Sequence, residues 1–364
     1  MSSTSARIAV IGTGVLGSAV AAELAVRGAA VTILDAARPG SGTSGTSFAW
    51  VSSGSKEPVG YHELNVAAIE AHHRAAEAGD DAFVRSGRLS VATGPAQVAG
   101  LVDRVQRLAD RGYPAELVTV RRARELEPAL LLPDAATVGW FPSEGYCRTD
   151  RFIDRRLRIA AAHGARQRYG EPVRAVRDGT VQLDSGSERY DRVVLAVGRW
   201  TEPLAATAGI TVPMVPGTAG GPAVGYLAET APAVAGPGRV VLGPDLHLRP
   251  TGSGGLVLQA LDLDASADPD AGPPPRIGTG FAARLAGLLR EAPPVVRVRV
   301  GRRSLPADGL PVAGFAGRDG RVYLLACHSG VTLAPLLGRL VADELLDRAS
   351  PLLQPYRPER FARP

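Results

Sequence analysis

The sequence predicts an α/β protein in which a layered sheet-and-helix domain is joined to a second, α+β domain built on a mixed or antiparallel sheet. Three observations near the N-terminus carry the first part: a short apolar run closed by a glycine-rich turn, a helical pattern directly after it, and a second apolar run ending on an acid. Ile8–Ile11 has the length and apolarity of a buried strand, Gly12-Thr13-Gly14-Val15-Leu16-Gly17 turns the chain, and a helix follows through Arg27 with Gly28 as its stop. Val31–Leu34 reads as the next strand. Asp35 closes it roughly 20 residues after the first glycine, the spacing of the dinucleotide fingerprint of Rossmann-type domains. Gly12 permits the tight turn, Gly14 lets backbone approach a pyrophosphate, and Gly17 lets the helix lie close to the strand. Val15 and Leu16 open the helix, where free N–H groups face phosphate, and Asp35 is placed for ribose hydroxyls.

The remaining elements are read in chain order. Helices are expected at Tyr61–Ala78 and Gln97–Asp110, and strands at Arg88–Ala92, Thr137–Phe141, Ala223–Leu227, Leu246–Arg249 and Leu256–Leu261, giving a sheet with helices on one face. Gly252–Gly255 reads as a hairpin turn, so no second dinucleotide fingerprint is present. Asp262–Pro275 reads as an exposed loop and the residues from Ser350 as an extended tail.

Composition narrows the class. A chain of 364 residues with 45% hydrophobic and 21% charged content can fill two cores. The 41 basic and 36 acidic side chains leave +5, with the arginines scattered, so no nucleic-acid footprint is expected. Cys147 and Cys327 cannot build a disulfide framework and have no CxxC or histidine cluster beside them, which excludes a metal site of that kind and fits a reduced, cytoplasmic compartment. Met1–Arg7 is too short and polar for a signal peptide; Ile8–Val26 is broken by glycines and Glu23, and the last helix carries Arg339, Asp343 and Glu344, so no membrane span is expected. His72-His73 reads as helix surface, because adjacent helical side chains point about 100° apart and form no metal clamp.

The long segment Ala36–Pro58 departs from a plain nicotinamide enzyme, in which another crossover would follow. Its Gly40-Ser41-Gly42-Thr43-Ser44-Gly45-Thr46-Ser47 run suits the wrapping of an extended cofactor. Thr43-Ser44-Gly45 resembles the flavin-wrapping loop of the D-amino-acid oxidase family, which includes glycine and sarcosine oxidases. Later segments are similar in the same order: Gly145–Asp150 before a helix at Arg151–His163, Pro172-Val173, Asp191–Gly198 with Arg199-Trp200, Gly301-Arg302-Arg303 with Asp308–Gly314, and strand Val322–Ala326 leading through His328-Ser329-Gly330-Val331-Thr332 into a helix to about Leu346.

The resemblance implies bound FAD contacted by Ala36, Arg38, Thr43, Ser44, Thr46 and Ser47 in the loop, by Val173, by Ala196, Gly198 and Trp200, by Gly301 and Arg303, and by Gly330, Val331 and Thr332. It divides the chain into an FAD-binding domain (1–55, 143–210, 300–350), a substrate-binding domain (56–142, 211–299) and the tail (351–364). Ser304 and Leu305 stand where covalently flavinylated relatives carry a cysteine, so non-covalent FAD is expected; Ser304 also replaces the family proline, and Cys327 a usual glycine. The implied activity is oxidation of a carbon–nitrogen bond in a small amine or amino acid, with molecular oxygen as acceptor giving imine and hydrogen peroxide. A dehydrogenase or desaturase acting on a nitrogen-containing intermediate, and a non-catalytic flavin-bearing binding protein, are the alternatives.

Four residues are candidates for the chemistry. Arg249 and Arg303 match positions from which a guanidinium would grip a substrate carboxylate, or they form ordinary ion pairs. Lys56, the single lysine of an arginine-rich chain, is expected to assist oxygen reduction or substrate binding unless it is a chance surface residue. His328 precedes the flavin-facing helix and serves either at the rim of the site or in a structural hydrogen bond.

Overall fold

The computed structural model describes residues 6–233, 236–317 and 319–362; most of the polar N-terminal stretch and the last two residues of the expected tail lie outside them. A six-stranded sheet runs in the order Val312–Ala316, Val322–Ala326, Arg192–Leu195, Arg7–Ile11, Ala30–Asp35, Arg166–Tyr169. All its pairs are parallel except that between the first two, so Ile8 faces Arg192 on one side and Val31 on the other. Strands covered on both faces need apolar residues throughout, which is why Ile8, Ala9 and Val10 are all fully buried. The helix Val15–Val26 packs against helices Thr149–Ala162 and Gly330–Leu345. Gly338 is required there, because a Cβ would stand 2.8 Å from that of Ala19.

An eight-stranded sheet forms the second layer: Val295–Arg302, Val224–Thr230, Leu256–Gln259, His247–Pro250, Val240–Leu242, Arg88–Ala92, Thr137–Phe141, Glu116–Val118. It is antiparallel apart from the pairing of Val240–Leu242 with Arg88–Ala92. Alternation along the strands separates its faces. Tyr226, Leu248, Leu256 and Leu258 share a core with Ile277, Phe281 and Leu285 of helix Pro275–Leu288. Arg88, His247, Arg249 and Val257 turn the other way, toward Phe48, Trp50 and Tyr146. The strand Val295–Arg302 belongs wholly to this sheet, so the domain boundary expected at 300 falls inside it. Among the described residues no helix is long and apolar enough to cross a membrane.

Three expectations are corrected. His72 is buried in the helix Val59–Glu77 and bonds to the carbonyl of Val331 (3.0 Å), while half-buried His73 bonds to that of Ser143 (2.9 Å), so the pair faces the protein. The C-terminal segment is two 3-10 turns, Pro351–Tyr356 and Pro358–Phe361, not an extended tail; Leu353 and Tyr356 are buried and Arg357 pairs with buried Glu344 (2.7 Å). The stretch from Asp262 contains the turn Leu263–Ser266, whose Asp264 is buried, and the helix that follows it was not expected.

Candidate functional site

The carboxyl ends of the parallel strands border a cavity of about 490 Å³, within the range of pre-formed ligand sites. Its geometry begins with backbone. Gly12 has φ +99°, and a Cβ on it would lie 2.4 Å from the carbonyl oxygen of Ala196; one on Gly17 would lie 1.9 Å from the oxygen of Gly12. The turn, the neighbouring strand end and the helix therefore close on one another only without side chains. Gly14 lies against Ser44, whose hydroxyl accepts the amide of Val15 (3.1 Å) and ties the loop to the turn.

Asp35 is held at the end of its strand by the amide and hydroxyl of Thr13 (2.7 and 2.5 Å) and the amide of Ala37 (2.9 Å). A carboxylate offers about four lone-pair sites, so with three taken it can still accept from one hydroxyl of a ribose. Thr43 donates to the carbonyl of Arg302 (2.8 Å), anchoring the loop to the eight-stranded sheet. Trp200 is 49% exposed on the cavity wall, with the Arg199 guanidinium 3.8 Å from its ring.

Ser304, Cys327, His328, Gly330 and Val331 line the side remote from Asp35. Sheet order places them there: Asp35 follows the strand on one side of Arg7–Ile11, whereas Cys327 follows a strand two places to the other side. The first amides of helix Gly330–Leu345 have no intrahelical partners and favour negative charge. Burial pushes the Cys327 thiol up to about 12. His328 has accessible surface, but it opens into a cavity walled by protein; desolvation, then the charges of Lys56 and Arg303, push it down to about 4. Lys56 is half-buried outside the lining, 5.7 Å from the ring of Tyr61, which donates to Ser329 (2.8 Å). Desolvation lowers its pKa, against opposing effects of Cys327 and Glu144.

Of the sequence-derived cofactor residues, Gly12, Gly14, Val15, Leu16, Asp35, Ala36, Thr43, Ser44, Ser47, Val173, Ala196, Gly198, Trp200, Gly330 and Val331 line this cavity. Arg38 and Thr46 instead line a second cavity of about 510 Å³ beside the helix Thr149–Ala162. Gly301 acts by close approach, since a Cβ would meet the carbonyl of Thr46 at 3.0 Å, and Thr332 supports the loop by accepting the amide of Ser52 (3.3 Å). Arg303 takes up the ion-pair alternative: it pairs with Asp264 (2.6 Å) and donates to the carbonyls of Pro222 and Val224 (2.8 and 2.6 Å), so its fork is engaged by protein. Arg249 is buried, with Nε on the carbonyl of Phe48 and Nη1 on that of Pro250 (2.8 Å), and has no ion pair among the described residues. Burial lowers its pKa to about 10.

Sequence reasoning missed several wall residues: Thr13, masked between its glycines, and Val197, Pro203 and Leu204, which carry no motif. Ser304 and Cys327 were visible only as departures from a family pattern. It also missed Glu144, fully buried, which accepts from Arg88 (2.6 Å), Tyr113 (2.8 Å), Trp50 Nε1 (2.9 Å) and the amide of Gly54 (3.2 Å).

A glycine cradle for a diphosphate, an acid for a ribose and a distant helix N-terminus, all on one cavity, fit FAD and define a flavoprotein oxidoreductase. The profile of the FAD dependent oxidoreductase family matches residues 7–344, and the chain belongs to that family. It is 31% identical over 223 residues to 4-methylaminobutanoate oxidase (formaldehyde-forming) of Paenarthrobacter nicotinovorans, covering 58% of this chain but only 26% of that relative. Glycine oxidase of Geobacillus kaustophilus is 26% identical over 358 residues, 92% of each chain. The crystal structure of glycine oxidase from Geobacillus kaustophilus superposes with a TM-score of 0.85 at 24% identity, covering 97% of this chain and 98% of the other. The protein is an FAD-dependent oxidoreductase.

Proposed function

We propose that this chain oxidises a carbon–nitrogen bond of a small amine or amino acid, passes the electrons to molecular oxygen, and releases imine and hydrogen peroxide. One observation carries the reading: a single cavity runs from the Asp35 carboxylate to the amide end of helix Gly330–Leu345, so a dinucleotide anchored at the turn has its reactive end beside His328. The activities of the oxidase relatives support the bond type. When bound, FAD is the two-electron acceptor.

The protein's part is positioning and charge. The helix amides favour negative charge arising at the inner end. His328 is neutral at pH 7 and so does not repel a cationic amine. Arg249, a buried cation without a carboxylate partner among the described residues, is the candidate anchor for a substrate carboxylate. Lys56 is the candidate for assisting oxygen or substrate from beside Cys327 and His328. The high pKa of Cys327 keeps it a thiol, a poor nucleophile, which supports non-covalent FAD. Two buried, unpaired thiols support a reduced, cytoplasmic setting.

An anaerobic screen of amines and amino acids, following loss of visible flavin absorbance, tests the reaction. Bleaching by at least one amine is expected, then peroxide when air is admitted. Bleaching without peroxide selects a dehydrogenase, and no bleaching by any amine removes the proposal.

A further inference from the structure

Ser304 lies two residues beyond the end of the strand Val295–Arg302, and its backbone is pinned on both sides: the amide of Arg303 donates to the carbonyl of Ala223 (2.6 Å), and the amide of Val215 donates to the carbonyl of Leu305 (2.8 Å). The residue is 6% exposed, and its Oγ has no hydrogen-bond partner among the described residues. It nevertheless lines the cavity, beside Cys327 and His328 and 3.9 Å from where a Cβ on Gly198 would stand. A buried hydroxyl left without a partner costs about 1–3 kcal/mol, and such groups are rare in folded proteins. The other unpartnered side-chain atoms of the interior, such as Arg88 Nη2 and Asn65 Oδ1, belong to residues that do not line this cavity. The Oγ itself has almost no accessible surface, so a turn about χ1, one of three staggered positions, would bring it to an acceptor arriving with the cofactor.

We propose that Ser304 is a cofactor-contacting residue whose hydroxyl donates a hydrogen bond to the ring system of FAD and thereby raises the ring's affinity for electrons. The inference rests on FAD binding and not on the identity of the bond oxidised. A hydrogen bond to an acceptor strengthens as that acceptor gains negative charge, so the donor favours reduced over oxidised cofactor. Ser304→Ala removes the donor and changes little else in volume. Ser304→Thr keeps it.

The experiment is a dye-equilibrated reductive titration of the holoprotein without substrate, beside measurement of FAD affinity. Ser304→Ala is expected to weaken reduced-FAD binding about tenfold more than oxidised-FAD binding, a midpoint about 30 mV more negative for a two-electron couple. Ser304→Thr is expected to stay near wild type. The inference is overturned if Ser304→Ala leaves the midpoint unchanged or raises it, if only overall FAD affinity changes, or if the threonine variant is displaced as far as the alanine one. Because no amine is present, these results are independent of the substrate screen.

Discussion

Replacing Glu144 with alanine tests how the segment leaving the cofactor loop is held. The carboxylate is fully buried and joins Trp50 and Gly54 of that segment to Arg88 of the eight-stranded sheet and to Tyr113. Its removal strands the Arg88 guanidinium between the rings of Phe141 (3.4 Å) and Trp50 (4.9 Å), with one nitrogen, Nη2, already lacking a partner. Breaking one half of a buried ion pair costs about 3–5 kcal/mol. Each neutral donor left unpaired costs about 1–3 kcal/mol on its own, but the four donors form one network and their losses do not add. The expected loss is therefore about 4 kcal/mol, a large share of a total near 5–15 kcal/mol. Urea unfolding followed by tryptophan fluorescence reads it. Replacing both partners, Glu144→Leu with Arg88→Met, is expected to recover more than half of the loss, because no charge then remains buried. An alanine variant within about 1 kcal/mol of wild type, or a double variant no more stable than the single one, would refute the reasoning.

Further outcomes follow from the same geometry. Gly12→Ala must place a Cβ 2.4 Å from a backbone oxygen at φ +99°, so FAD affinity is expected to fall at least tenfold, measured by fluorescence on reconstituting apoprotein. Acid precipitation is expected to release all the flavin into the supernatant, and Cys327→Ser to behave identically; flavin retained in the pellet of wild type alone would show a covalent bond to that sulfur. His72 takes up a proton near pH 4 when folded, because burial disfavours its charge, but near 6.5 when unfolded. The unfolded state therefore binds more protons across that window. This contribution to stability is complete above about pH 6.5 and is lost as the pH falls toward about 4, by on the order of 3 kcal/mol; His72→Gln should flatten the denaturation-midpoint profile there. Arg249→Met is expected to raise KM about tenfold or more for carboxylate-bearing substrates with kcat little changed, and unchanged steady-state kinetics would return Arg249 to a purely structural role. Lys56→Met is expected to change the rate of reduction or of reoxidation, read by stopped flow, and unchanged values for both would remove its role.

What the sequence made legible follows the range of the interactions. The cofactor turn is written locally: Gly12, Gly14, Gly17 and Asp35 act through backbone conformation and close approach, so spacing alone reveals them. The helix Pro275–Leu288 was hidden by the prolines before it, although Ile277, Phe281, Leu285 and Leu288 recur at helical spacing and fill one core. Arg303 shows where local reading stops. Its motif suits a carboxylate, and the structure supplies one, from Asp264 in a segment that reads as an exposed loop. A guanidinium answers to whichever anion the tertiary fold delivers, and an internal carboxylate is present at all times while a substrate is not. The same reasoning separates Arg249 from Arg303: Arg303 is half-buried and already paired with Asp264, whereas buried Arg249 has no direct ion pair among the described residues, so of the two it is Arg249 that leaves a place for an arriving carboxylate.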